Sequence, residues 1–469
     1  MQYVSTRGEA KTLGFSDVIL EGLATDGGLY VPDTWPALDV ADTHTYAQTA
    51  VAVMWPFVSQ AMPLHDFESL VDAAYSTFRP PSGAHPDVVP VTDLGDHRYL
   101  AELYWGPTLA FKDIALQLLG GLFDYELGRR GERATIVGAT SGDTGSAAIE
   151  ACRDREHLDI FILHPYGRTS EVQRRQMTTV TAPNVFNIAV EGSFDDCQDI
   201  VKALFGDETF RRRRQLSAVN SINWARVMAQ IVYYVTAARE VRRREGLGPA
   251  DPVNVCVPTG NFGNVFAGYA AMCMGEHIGQ FHVASNANDI LTRFFANGSM
   301  DITEVISTLS PSMDIQVSSN LERLLFEMMG RNGQALAGAM REFREVGSVS
   351  FEPEQHAWLS ERWSGDRLND DECIEVMRRY GAQGVALDPH SAVGVGVAER
   401  IDFIGVPTVC MGTAHPAKFP DAVERATGSR PALPPHLGDI YDREERYTVL
   451  PNDVDAVRTF VDQSLPATS

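Results

Sequence analysis

The chain has 469 residues, 44% hydrophobic and 22% charged, which is enough for two or three domains around a large buried core. Lys plus Arg number 39 against 62 Asp plus Glu, a formal charge of -23, so the surface repels nucleic acid and anionic membranes and neither is an expected partner. Any anion site must be built locally from arginines, backbone N–H groups and helix N-termini.

The start, Met1 to Arg7, has neither a basic nor an apolar leader segment, so no secretory signal is expected. No run approaches the ~20 apolar residues of a membrane span. Residues 1–91 read as a mostly helical N-terminal domain. Ser16 can cap a helix through Val18 to Leu23, the turn Asp26-Gly27-Gly28 leads into an extended Leu29 to Pro32, and Asp66 to Phe78 is amphipathic and helical. Arg79-Pro80-Pro81-Ser82-Gly83 then breaks the helix and is the expected linker.

From about residue 92 short β-rich runs alternate with helices, the pattern of parallel sheets with helices on their faces, an α/β protein. Gly106-Pro107 makes a turn, Leu109 to Phe111 are apolar, and a helix-forming run starts at Ile114, just past Lys112. A lysine at such a junction can be shielded from water, which disfavours its ammonium form and suits it to attack an aldehyde. Strands are expected at 134–138, 160–163, 185–190, 253–257 and 408–411, and helices at 145–153, 195–205, 223–244 and from about Asn264. Gly246 to Pro252 is a second expected joint, giving divisions at 92–248 and 249–469. The arginine runs 211–214 and 242–244 sit near helix ends in an acidic chain and read as solvated helix termini.

Four loops follow strands or open helices, where open parallel sheets place ligands. Thr140 to Gly145 can present hydroxyls and N–H groups to a carboxylate, or be a plain capping turn with Asp143 or Thr144 as cap. Pro258 to Asn264 has two glycines three apart, so successive N–H groups can face one phosphate. It is neither a Walker loop nor a dinucleotide fingerprint, and Gly394-Val395-Gly396 reads as a buried helix with small residues. Asn220 to Arg226 opens the long helix; Arg226 could grip a phosphate with Asn220 and Ser221 beside it, or the segment could be an exposed cap. Thr413, after the last strand, could bond a heterocycle nitrogen, while His415 and Lys418 could be structural. The six cysteines lack CxxC spacing, and His390 and His415 lack zinc-ligand spacing, so reduced thiols in a cytoplasmic protein and no metal are expected.

A Schiff-base lysine, a phosphate-cradling loop and a carboxylate loop together suggest pyridoxal phosphate acting on an amino acid. Tyr3 to Gly8, Gly22 to Pro32, Gly106 to Asp113, Thr140 to Gly145, Asn220 to Arg226, Gly260 to Asn264 and Thr413 to Pro420 resemble, in order and over nearly the whole chain, the longer form of the threonine synthase family. The resemblance implies a fold-type II pyridoxal phosphate enzyme with two open, mainly parallel sheet lobes beside the N-terminal domain. Lys112 matches the lysine that holds the cofactor as a Schiff base. Gly260, Asn261, Phe262, Gly263 and Asn264 match the cofactor phosphate loop, and Thr413 matches the neutral partner of the pyridine nitrogen. Ser141, Asp143 and Thr144 fall in the loop for the substrate's α-carboxylate, and Asn220, Ser221 and Arg226 fall where the family holds the substrate phosphate. The implied reaction takes O-phospho-L-homoserine and water to L-threonine and phosphate. One alternative is a related phospho-lyase releasing 2-oxobutyrate and ammonia; the other is a binding or regulatory protein built on a retired enzyme fold, against which the intact Lys112 and Gly260 to Asn264 argue.

Overall fold

Two separate parallel sheets carry the chain, and each belongs to a different compact unit. In the computed structural model, residues 1–41, 43–81, 88–218, 220–401 and 405–466 are described. One unit comprises Met1–Phe111 with Ser221–Pro431, the other Lys112–Asn220 with Ala432–Ser469.

The first unit holds a six-stranded sheet in the order Trp363–Arg367, Ile278–Ser285, Val253–Pro258, Thr408–Gly412, Arg98–Glu102, Val91–Gly95. All neighbours are parallel except the last pair, an antiparallel hairpin turned through Asp96 and His97 at φ 50 and 58. Positive φ at both turn residues matches the twist of the flanking strands. Val253–Pro258 is buried along its whole length, as parallel strands covered on both faces are. Helix Pro389–Ala398 is buried throughout, and its small residues let it lie against this sheet: a Cβ on Gly394 would press on the Pro258 ring.

The second unit holds a five-stranded, all-parallel sheet in the order Thr448–Pro451, Val185–Glu191, Leu158–Pro165, Ala134–Ala139, Leu216–Ser217. Helix Lys112–Arg130 packs on helix Asp143–Cys152 through Gly120, where an added Cβ would drive into the main-chain carbonyl of Ala151. Backbone on one side and a helix on the other leave no side chain to yield. Gly120→Ala is therefore expected to lower unfolding stability by about 1–3 kcal/mol, even after the ~1 kcal/mol that alanine gains in helix propensity. A urea midpoint equal to or above that of the parent chain would contradict this packing.

The strands expected from the sequence appear with ends moved by a residue or two, as do helices Asp143–Cys152, Phe194–Gly206, Trp224–Glu245 and Gly263–Cys273. The arginine runs meet carboxylates at helix ends: Arg213 and Arg214 reach Asp462 at 2.6 Å, and Arg243 and Arg244 reach Glu240 at 2.7 Å. Ser16 is not a cap. The helix there is the single turn Phe15–Val18 behind Gly14, because Ala24 N–H donates to Gly28 O and folds the chain back, leaving Leu23 half exposed with no core to cover. The helix expected over Asp66 to Phe78 runs Leu64–Tyr75, and the helix Tyr46–Val58 before it is not among those expected from the sequence. Of the expected linker, Ser82 and Gly83 lie outside the described residues.

The compact units also divide the chain elsewhere than at 91 and 248. The N-terminal segment groups with 221–431 because its strands are tied there: Thr6 Oγ1 and the Arg7 guanidinium donate to Glu322, and Arg323 donates to Tyr30 O. The last residues return to the other unit. Thr448–Pro451 pairs with Val185–Glu191, and Arg174 holds Glu445 at 2.8 Å, which keeps that carboxyl below its ordinary range. No helix among the described residues is long and apolar enough to cross a membrane.

Candidate active site

The residues singled out in the sequence fall in both units. In the unit that starts at Lys112, the lysine is the first residue of helix Lys112–Arg130, and its side chain is 12% exposed. Its Nζ lies 3.4 Å from Asp143 Oδ2. Asp143 Oδ1 accepts a 2.8 Å hydrogen bond from Gln173 Nε2, which fixes the carboxylate toward the amine. Asp143 is therefore neither a helix cap nor a free seat for an anion. The cap position belongs to Gly142, at φ 149, where a side chain would also meet Gln173. Thr140 Oγ1 accepts from the N–H groups of Gly142 and Gly145 at 2.9 Å each and holds the loop in shape. What remains to receive a carboxylate is Ser141, which is exposed, and Thr144, which is half-buried. Their N–H groups meet no acceptor among the described residues. Asn220 also lies in this unit, with its Oδ1 buried and without a partner among the described residues.

In the other unit, strand Val253–Pro258 delivers the chain into Gly260 to Asn264. Phe262 sits at φ 61, a left-handed conformation uncommon for a bulky residue, and its ring is held against Phe295 and Trp363. The N–H groups of Asn261, Phe262, Gly263 and Asn264 donate to nothing among the described residues. The side-chain amide of Asn264 is anchored through Oδ1 by Tyr233 and Tyr234 at 2.7 and 2.8 Å, and its buried Nδ2 has no partner among the described residues. The loop contributes donors and no carboxylate, a chemistry that fits the phosphate of pyridoxal phosphate. A Cβ on Gly260 would collide with the carbonyl of Ser312, so the tight approach here needs glycine.

Thr413 follows strand Thr408–Gly412. Its N–H donates to Ser391 Oγ at 3.0 Å, and Ser391 donates in turn to the buried Asp388. Its own hydroxyl has no partner among the described residues, as the neutral partner of a pyridine nitrogen requires. The Phe111 N–H, one residue before Lys112, donates to Thr413 O at 2.9 Å. His415 caps the turn Pro416–Lys418, and Lys418 donates to Thr108 O at 2.8 Å, so both serve the structure.

Arg226 is not on an exposed capping segment. It is 4% exposed, Asn223 is the cap of helix Trp224–Glu245, and the Arg226 Nε and Nη1 are buried with no partner among the described residues. Burial pushes its guanidinium down to about 10. Ser221 stands five residues ahead of it and is half-buried.

Two buried residues with no sequence signal stand beside these loops. Asn320 donates to the carbonyls of Ser221 and Asn261, and Arg323 donates to that of Ile222. Their partners are main-chain atoms distant in sequence, so no motif marks them.

A largely buried lysine at a helix start and a loop of free N–H donors after a parallel strand fit one class, and the comparison gives it: residues 92–344 match the family model described as pyridoxal-phosphate dependent enzyme. Residues 2–75 match the model for the threonine synthase N terminus, and 391–461 the model for its C-terminal part. The chain belongs to the threonine synthase family. It is 50% identical to the threonine synthase of Pseudomonas aeruginosa, over 99% of this chain and 98% of that one. A crystal structure of threonine synthase with bound PLP from Brucella melitensis is similar at TM-score 0.95 and 48% identity, covering 99% of each chain. The yeast threonine synthase structure follows at 0.92 and 36%, covering 99% of this chain and 98% of its own. The fold is thus the α/β fold of the pyridoxal phosphate enzymes of this family.

Proposed function

We propose that the chain converts O-phospho-L-homoserine and water into L-threonine and phosphate. The observation that carries this reading is a second anion seat. The loop Gly260 to Asn264 suffices for a cofactor phosphate, and the buried, unpaired Arg226 calls for a substrate that brings a phosphate of its own.

In this reading Gly260, Asn261, Phe262, Gly263 and Asn264 hold the cofactor phosphate, Thr413 meets its ring nitrogen, and Lys112 binds its aldehyde carbon. Bound pyridoxal phosphate supplies the electron sink that lets a proton leave the substrate's Cα. Ser141 and Thr144 receive the α-carboxylate at the N-terminus of helix Asp143–Cys152. Asp143, in the same loop, orients the Lys112 amine instead, since a carboxylate would repel the substrate's own. Arg226, with Asn220 and Ser221, orients the substrate phosphate. Once the substrate amine has displaced it, Lys112 is a free base. It takes the Cα proton, gives that proton up again, and as a neutral amine takes a Cβ proton, which lets phosphate leave from Cγ. Return of protons to Cγ and Cα, with water added at Cβ, completes threonine.

The test is to incubate the holoenzyme with O-phospho-L-homoserine and follow phosphate, threonine and 2-oxobutyrate together. Phosphate and threonine are expected in equal amounts. Phosphate matched by 2-oxobutyrate would instead show a phospho-lyase.

A further inference from the structure

Asn320 and Arg323 open the helix Leu321–Met328, and both are fully buried. Arg323 gives its hydrogen bonds to uncharged oxygens only. Its Nε and Nη2 reach Tyr30 O at 3.1 and 2.9 Å, Nη2 reaches Ile222 O at 2.6 Å, and Nη1 donates to Asn320 Oδ1. The adjacent Glu322 carboxylate turns to Thr6 and Arg7. Burial brings the Arg323 guanidinium down to about 9, which still leaves it charged at neutral pH.

A guanidinium only donates, so the Asn320 atom facing it must be the oxygen. The amide nitrogen is then committed to Ser221 O at 3.1 Å and Asn261 O at 2.9 Å, and the Asn320 N–H adds a 3.0 Å bond to Asn261 O. Three carbonyls, those of Ser221, Ile222 and Asn261, are drawn toward one buried pair. In a trans peptide the carbonyl and the next N–H point to opposite sides. The N–H groups of Ile222, Asn223 and Phe262 therefore face away from the pair, and none of them finds an acceptor among the described residues.

We infer that Asn320 and Arg323 are positioning residues that aim these N–H groups at two anions, the cofactor phosphate at Gly260 to Asn264 and the substrate phosphate at Ser221 to Arg226. The inference rests on the proposed reaction. The two seats share one support, and breaking it weakens both. The hydrogen bonds of Arg323 among the described residues go to neutral oxygens, so its charge is only partly offset, through space, by Glu322 and adds to the attraction.

The test uses Asn320→Asp, which keeps the shape and the bond from Arg323. The second oxygen has no hydrogen to give to Ser221 or Asn261, and the carboxylate cancels the buried charge. For the apoenzyme, Kd for pyridoxal phosphate is expected to rise about tenfold or more, while Kd for pyridoxal, which has no phosphate, changes by less than about twofold. KM for O-phospho-L-homoserine is expected to rise by a similar factor, with a smaller change in kcat. Unchanged affinity for pyridoxal phosphate, or equal loss for both aldehydes, would overturn the inference, the second because it marks general damage. If Asn320→Asp does not fold, Arg323→Lys answers the same question, since it keeps the charge and loses the fork. Wild-type protein that binds pyridoxal phosphate but ignores O-phospho-L-homoserine would sink the substrate reading alone, and the two aldehydes would still judge the cofactor half.

Discussion

Lys112→Ala protein is expected to form threonine at less than about one-thousandth of the parent rate, since it loses both a covalent anchor and a proton carrier. The chain makes the assignment sharp because it has only four lysines, at 11, 112, 202 and 418. Lys11 is exposed, and Lys202 is exposed and paired with Asp199. Lys418 is fully buried and gives its ammonium to Thr108 O. Lys112 combines a largely buried amine with the Asp143 carboxylate, 3.4 Å away, which can orient it. Borohydride treatment of the holoenzyme should attach the cofactor to the peptide containing residue 112 and leave the peptide containing 418 unmarked. A small primary amine such as ethylamine, added to Lys112→Ala, should restore part of the proton transfer. Threonine formed by the mutant at the parent rate, or cofactor fixed elsewhere, would remove Lys112 from the chemistry.

Lys112 and Gly260 to Asn264 were legible because their signal is contiguous: a turn or strand, a few residues of distinctive type, then a helix. The same locality made the parallel strands readable, as short β-branched runs bounded by glycine and proline. The failures have the opposite character. Ser16 looked like a cap because five apolar or helix-forming residues follow it, yet the turn closed by Ala24 and Gly28 ends the helix after Val18. In the loop after strand Ala134–Ala139 the sequence sets Asp143 beside Ser141 and Thr144 and does not tell where its carboxylate points. Only the position of Lys112, thirty-one residues earlier, shows that its carboxylate faces the amine. Asn320 and Arg323 left no pattern at all, because they bond to the main chain of residues 30, 221, 222 and 261, and any residue supplies a carbonyl. The place of the C-terminal segment is equally non-local: a four-residue edge strand and a few arginine–carboxylate pairs decide which sheet it joins.

Arg226→Met is expected to make the protein more stable and less able to use its substrate. A buried guanidinium with two nitrogens unpaired gives up hydration for nothing, and burial is the sole cause of its depressed pKa. Methionine has a similar reach, is apolar and adapts to irregular space, so the variant should gain about 1–3 kcal/mol of unfolding stability. The same change removes a bidentate partner for phosphate, so KM for O-phospho-L-homoserine should rise by about a hundredfold while the affinity for pyridoxal phosphate holds. Inorganic phosphate provides a further check through mass action. With the cofactor seat filled, it should raise the melting temperature of the parent protein and leave that of Arg226→Met unmoved. A variant that loses stability would mean that Arg226 is satisfied within the fold and serves packing. A variant that loses cofactor and keeps its KM would put the guanidinium at the wrong phosphate. A gain in stability joined to a loss of substrate affinity would show that the long helix keeps an unpaired charge in its first turn for the sake of an anion the chain does not itself supply.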